Sequence, residues 1–365
     1  MIFECVVSPG VPPTALKLKS LRALCAVCRL FLFTLQPRLF EDIVFSYSLD
    51  RSSWMQALRR RDSRALRLAK LAHRCSLVMP NKNTSGLQAT KLSILNRPDK
   101  EYLGSLAAFG NLQVLQLYDY PLSMTLLLAV AALPNVTSFS LDGCPRVMEK
   151  PAKKLARVGP GWTVFECTRC NDPRGFRAYT PLLLQLMDIP QLKRLVTDQP
   201  SLLVELSRAA VNMELRELEL DCHGLEEDVL NLFAQRCGQL TSLRLRANTF
   251  FSSDSICSNL SNVTCPPATA VRLLDSNRPV TSLTLLEHDL WATAPWFSVI
   301  NTISRITLTR PTRIMDLSLP VTALPHFPLS FSLCVPTVTL RLGWHDFAWE
   351  QLDADMVRSG LRSLR

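Results

Sequence analysis

A leucine-rich phrase that returns along most of this chain constrains its fold more than any other feature. Leu240, Leu243, Leu245, Asn248 and Phe250 fit L-x-x-L-x-L-x-x-N-x-L position by position. The same frame fits Leu112, Leu115, Leu117 and Leu122; Val136, Phe139, Leu141 and Cys144; Leu215, Leu218, Leu220 and Leu225; and Val280, Leu283, Leu285 and Leu290. A unit of this kind, repeated every ~20–30 residues, is one supersecondary element that cannot bury its apolar face alone, so neighbouring units must stack to make a core.

The second leucine-type position of each phrase falls at Cys75, Leu92, Leu115, Phe139, Phe165, Leu195, Leu218, Leu243, Leu283, Ile306, Val338 and Leu364. The steps are mostly 23 to 32 residues, and Leu243 to Leu283 is 40. That long step contains Pro266 and Pro267 and predicts an inserted loop or extra helical turn. Each phrase alternates as a strand does, and each connector is long enough for a crossover, which makes the strands parallel. Met124–Leu133, Ser201–Val211 and Glu226–Arg236 are the connectors with the clearest helical composition. The expected fold is an α/β solenoid over 75–365, with a curved parallel sheet on its concave side and helices on its convex side. The chain stops at Leu361-Arg362-Ser363-Leu364-Arg365, the opening of a further phrase, so the array is expected to be truncated at this end.

The region before the array has a different character. Residues 1–80 carry 13 Lys/Arg and 5 Asp/Glu, a balance of +8, against a total of +10 for the 365 residues. Residues 14–45 recur in apolar side chains at three- and four-residue steps, as an amphipathic helix does, until Pro37 ends or bends it. Residues 38–46 read as a short helical turn leading into a strand. In 49–74, Arg59, Arg60, Arg61, Arg64, Arg67 and Lys70 make one side of a second helix cationic. Leu30 to Leu35 is too short to span a bilayer, and Met1 to Gly10 has no basic segment followed by an apolar one. The 12 cysteines are scattered through a long chain, which suits buried thiols in a reducing compartment. A soluble intracellular protein, cytoplasmic or nuclear, is expected.

Leu24-Cys25-Ala26-Val27-Cys28-Arg29-Leu30-Phe31, followed by Pro37-Arg38-Leu39-Phe40-Glu41-Asp42-Ile43, resembles the second half of an F-box. Leu68–Val78 is similar to the segment that enters the repeats in fungal F-box proteins with divergent leucine-rich repeats. The family's opening L-P-x-E-I and first helix have no counterpart in the unmatched residues 1–13 (MIFECVVSPGVPP). The resemblance implies a partial F-box-like helical segment at 14–48, a basic linker helix at 49–74, and a substrate-recognition subunit of a cullin–RING ubiquitin ligase. Its partners would be a Skp-type adaptor with its cullin, and a protein substrate. The face carrying Leu21, Leu24, Val27, Cys28, Phe31 and Leu35 would then dock the adaptor. An interaction scaffold without ligase association is the alternative.

Little in the sequence points to chemistry. Cys167-x-x-Cys170 has no second pair at zinc-site spacing, and Trp162, Phe165, Cys167 and Cys170 occupy phrase positions 1, 4, 6 and 9. Cys25 and Cys28 fall where the F-box pattern has small apolar residues. Cys144, Cys170, His223, Asn248 and His288 share position 9, which in leucine-rich repeats turns inward and hydrogen-bonds backbone that would otherwise be unsatisfied. No G-x-x-x-x-G-K-S/T, G-x-S-x-G or H-E-x-x-H occurs. No catalytic residue, metal or cofactor is expected, nor a small-molecule substrate or a membrane. The cationic helix has Trp54 alone nearby, serves base stacking poorly, and reads as a solvated face rather than a nucleic-acid site.

Phrase positions 3, 5 and 7 alternate out of the core. They supply the candidate binding face: Gln116, Tyr118, Asp142, Glu166, Arg194, Asp198, Glu217, Glu219, Asp221, Arg244 and Arg246. The acidic row Glu217, Glu219, Asp221 is expected beside Arg244 and Arg246, with Glu219–Arg244 and Asp221–Arg246 as cross-strand pairs.

Overall fold

The computed structural model describes residues 36–46, 57–58, 60–79, 103–144, 155, 161–209, 211–222, 225–246, 257–275, 278–286, 299, 301–303, 305, 314–320, 335 and 337–341. The chain forms two compact units, Met1–Asp188 and Ile189–Arg365. In the first, strands β1 (Asp42–Ser46), β2 (Arg74–Val78), β3 (Val114–Tyr118), β4 (Ser138–Asp142) and β5 (Val164–Thr168) pair in sequence order, all parallel. Helices α1 (Ser63–Ala69), α2 (Met124–Ala131) and α3 (Pro173–Leu186) lie in the connections and after β5. In the second, β6 (Arg194–Thr197), β7 (Glu217–Leu220), β8 (Ser242–Leu245), β9 (Asn262–Cys265), β10 (Ser282–Leu285), β11 (Asp316–Pro320) and β12 (Thr337–Arg341) do the same. Its described helices include α4 (Pro200–Arg208), α5 (Glu227–Gln235) and α6 (Pro267–Asp275). The parallel α/β architecture expected from the phrases is present in both units.

The sequence explains each part. Phrase positions 4 and 6 are buried from β1 to β11, as at Leu115 and Leu117, Phe139 and Leu141, Leu218 and Leu220, and Leu243 and Leu245, while Val338 on β12 is half-buried. The helices bury a matching stripe: Leu126, Leu127 and Val130 on α2, and Leu202, Leu203 and Leu206 on α4. Each full burial of a leucine contributes ~1.5–3 kcal/mol. Capping fixes the helix starts. Ser123 accepts the amide of Leu126 at 3.1 Å, Asp62 that of Ala65 at 2.9 Å, and Asp172 that of Gly175 at 2.9 Å. Where phrase position 1 is Trp162, its ring stacks on Phe139 at 4.4 Å between centroids and on Phe165 at 5.8 Å.

A backbone device at phrase position 2 sets the register. One carbonyl accepts two successive amides of the next repeat: His73 from Gln113 and Val114, Gln113 from Thr137 and Ser138, and Thr137 from Thr163 and Val164. In the second unit the carbonyls of Lys193, Arg216, Thr241, Ser261 and Thr281 do the same. Hydroxyls at this position add a third donor: Thr241 Oγ1 to the Arg216 carbonyl (3.1 Å), Ser261 Oγ to that of Thr241 (3.2 Å), and Thr281 Oγ1 to that of Ser261 (3.4 Å). One residue before three of the phrases, asparagine ties the unit to the turn ahead of the preceding phrase. Asn111 donates to the Lys70 carbonyl (2.6 Å), Asn135 to that of Gly110 (2.6 Å) and Asn259 to that of Gly238 (3.0 Å).

Four sequence expectations change. The 40-residue step is not an insertion: Val263 pairs with both Leu243 and Leu283, so β9 and α6 form a complete repeat in steps of 20 and 20. Its phrase, Leu260-Ser-Asn-Val263-Thr-Cys265, carries Val and Cys where the frame carries leucine. The strand after β10 centres on Leu317, which pairs with Leu283, rather than on Ile306, which lies outside the described residues. Leu92 also lies outside them, and β2 pairs directly with β3, so no strand intervenes. The ladder also begins earlier than 75, because Ile43 on β1 pairs with Cys75 and is buried. Helical residues 36–41 precede β1, as the turn-to-strand reading of 38–46 expects.

After β3, β4 and β5 the equivalent residues Asp119, Gly143 and Arg169 are left-handed, with φ of 54°, 75° and 55°. Only the middle one is glycine, and a Cβ there would press into Oδ1 of Asp119. Gly143→Ala is therefore expected to cost ~1–2 kcal/mol from the left-handed conformation alone, and more from the contact. Leu218→Ala and Leu243→Ala, at residues 2% and 1% exposed, are each expected to cost ~2–5 kcal/mol in urea unfolding. Near-neutral values would show that these positions do not face the core.

Candidate functional site

The expected binding-face residues come together in two groups, one in each unit. In Met1–Asp188, β3 contributes Gln116 and Tyr118, β4 Asp142 and β5 Glu166, all half-buried. Register places Gln116, Ser140 and Glu166 in one row and Tyr118, Asp142 and Thr168 in the next. Ser76 Oγ donates to Gln116 Oε1 at 3.1 Å. Asp142 accepts from Thr168 Oγ1 (2.8 Å), Arg169 Nε (2.6 Å) and Arg169 Nη2 (2.5 Å). The left-handed backbone at Arg169 turns its guanidinium back over β4 for this bidentate grip. Partial burial alone would raise the Asp142 pKa. The hydrogen bonds from Arg169 and Thr168, with the guanidinium charge, outweigh it and hold the carboxyl below its ordinary value.

In Ile189–Arg365, the acidic row lies between two basic ones. Arg194 Nη1 on β6 meets Glu217 on β7 at 2.8 Å. Glu219 is shared by Arg244 (3.5 Å) and Arg246 (2.9 Å), and Arg246 also reaches Asp221 at 3.9 Å. Both expected pairs form, but Arg246 leans towards Glu219 more than towards Asp221. The pairing with Arg194 was missed, although the phrase frame already placed Arg194 opposite Glu217. Glu219 is 18% exposed, while Arg244 and Arg246 are 47% and 50% exposed, so the row presents guanidinium groups to solvent. Asp198 lies just past β6, where it accepts from Gln199 Nε2 at 2.7 Å.

Each such pair contributes only ~0–1 kcal/mol, because the charges stay hydrated and the side chains must be ordered. This face can therefore exchange internal ion pairs for pairs with a ligand at little cost to the fold.

The described cysteines behave as buried apolar groups. Burial pushes Cys75 and Cys222 up to about 12 and Cys257 up to about 11, and raises Cys237 and Cys265 as well. At neutral pH these thiols stay protonated, the form that neither attacks nor ligates. Cys167 and Cys170 are buried with their sulfurs 3.2 Å apart and no disulfide. The position-9 expectation is met in burial at Cys144 and Cys170. His223, Asn248 and His288 lie outside the described residues, as do Leu21, Leu24, Val27, Cys28, Phe31, Leu35, Cys25, Trp54 and Arg59. Among the described residues, no helix is long and apolar enough to cross a membrane.

No known family model matches this chain, and no curated protein is significantly similar to it.

The Asp142 grip carries a pH signature. Its folded pKa is depressed, so its stabilisation is complete above the unfolded value and is lost as pH falls through the folded one. The stability difference between the wild type and Asp142→Asn is expected to be present at neutral pH and to shrink on acidification below about pH 4. Thermal melts at matched pH check this, and a pH-independent difference would contradict it.

Proposed function

We propose that this chain is a non-catalytic recognition protein, a leucine-rich-repeat solenoid that captures a protein target on the polar face of its strands. In the fullest form of the reading it is a substrate-recognition subunit of a cullin–RING ubiquitin ligase, engaging a Skp-type adaptor through its F-box-like residues. The observation that carries the recognition role is the ion-pair row of β6, β7 and β8. Consecutive parallel strands set equivalent side chains ~4.8 Å apart, and a protein surface can read such an array over several repeats. Charge there adds selectivity more than stability. The ligase role is supported by the resemblance of residues 21–45 alone. A scaffold without ligase association differs from it in one measurable respect, adaptor binding.

Two variant sets separate these roles. Purified full-length chain is expected to retain a Skp-type adaptor on a pull-down, and Leu24→Asp with Phe31→Asp to abolish that retention. Glu217→Lys, Glu219→Lys, Arg244→Glu and Arg246→Glu together are expected to leave adaptor binding and the melting temperature near wild type while eliminating target capture. Failure to bind the adaptor, even after a consensus first F-box half is grafted on, would leave only the scaffold role. Target capture that survives the four reversals would remove the strand face as the recognition site.

A further inference from the structure

The arginines of the strand rows and the α4 surface already have carboxylate partners. Arg74 pairs with Asp42 at 3.5 Å, Arg169 with Asp142, Arg194 with Glu217, Arg208 with Glu205 at 2.8 Å, and Arg244 and Arg246 with Glu219. The segment around α1 is the opposite case. Arg60, Arg61, Arg64, Arg67 and Lys70 are all exposed, and none makes an ion pair among the described residues. The one acid between them, Asp62, is engaged as the helix cap through the amide of Ala65. Five uncompensated cations thus stand within eleven residues, on an element whose apolar side (Ala65, Leu68, Ala69) is sealed into the core.

We infer that this patch is a docking surface for the phosphate backbone of a double-stranded nucleic acid, separate from the strand face. Three features select that partner among polyanions. Four of the five cations are arginines, whose planar forks match phosphate oxygens in pairs. The described residues from Arg60 to Arg74 include no Phe, Tyr or Trp and no exposed apolar side chain, and His73 is their one exposed ring. Protein interfaces draw on carboxylate or aromatic partners beside their arginines, and single strands need stacking platforms. Phosphate contacts on a duplex need neither, since counterion release supplies the affinity. An interfacial membrane helix would have to offer its apolar face to lipid, and the apolar face of α1 is already buried. The binding is sequence-independent, because nothing in the patch reaches for base edges. Where the sequence reads this side as a solvated face, the inference assigns it a polyanionic partner.

The test is fluorescence anisotropy of a labelled DNA duplex of about 20 base pairs against the full chain, titrated at salt from about 50 to 200 mM. Five phosphate contacts give a log–log salt slope of about −4.5, a loss of roughly 500-fold in affinity across that range. Arg60→Gln, Arg61→Gln, Arg64→Gln and Arg67→Gln together are expected to leave only the Lys70 contact, with a slope near −1 and a loss of about three- to four-fold. Single Gln variants, each expected to flatten the slope by about 0.9, keep the test intact if the quadruple variant melts early. The four strand-face reversals are expected to leave duplex binding unchanged. No saturable duplex binding at the lowest salt, or equal slopes for wild type and the Gln variants, would overturn the inference. So would binding to anionic phospholipid vesicles or polyglutamate without duplex binding, which would assign the patch to a lipid surface or an acidic protein.

Discussion

The carbonyl at phrase position 2 is the interaction on which the rest of each unit depends. Parallel strands in sequence order leave their amides and carbonyls to be satisfied by the neighbouring repeat, and a slip of one residue would turn every leucine outwards. By accepting two successive amides, the carbonyls of Gln113, Arg216, Thr241 and Ser261 leave only one register in which both donors are satisfied. Leu218 then stands beside Leu243 and Leu243 beside Val263, and the apolar layer closes. The same registration sets Glu217 beside Arg194 and Glu219 beside Arg244, so the surface chemistry is a consequence of the backbone lock.

Most strands with leucine at both inward positions were legible in the sequence, as β3, β7, β8 and β10 show, while β11, with Leu317 and Leu319, was misplaced onto Ile306. So were helices whose apolar residues recur at helical spacing: α2 and α5 lie within the stretches expected for them, and α4 starts one residue ahead of its own. Legibility failed where the inward residues change type without changing burial. Val263 and Cys265 fill the leucine sites of β9, and Cys265 is as buried as any leucine, so a full repeat reads as an insertion. It failed also where polar residues act on the backbone. The position-9 asparagine of the phrase drew attention to Asn248, whereas Asn111, Asn135 and Asn259 make their bonds from the position before the phrase. Their common place, one residue ahead of the first apolar site, was visible in the sequence as Asn-Leu, Asn-Val and Asn-Leu. Its meaning depends on where the turn ahead of the preceding phrase leaves its carbonyl, which a one-dimensional pattern does not contain.

For the candidate face the sequence identified the residues and most of their partners, because alternation along a strand and registration across strands are both periodic. It did not reveal how charge divides between paired and unpaired groups. Arginines occur in both the strand rows and the α1 segment, and composition makes them equivalent. The fold separates them: those on strands have carboxylates one repeat away, while those around α1 have only a capping aspartate within reach. Pairing turns the first set into a low-energy, exchangeable surface and leaves the second as a source of positive field.

Amide hydrogen exchange across β8, β9 and β10 tests the backbone lock most directly. Thr241 with Ser242, Ser261 with Asn262, and Thr281 with Ser282 each donate a pair of amides to one carbonyl of the preceding repeat. The account predicts that both amides of every pair exchange slowly, with protection at Ser261 and Asn262 equal to that in the flanking repeats. Fast exchange at Ser261 and Asn262 between two protected strands would contradict it, because residues 246–280 would then be an insertion and not a repeat held in register.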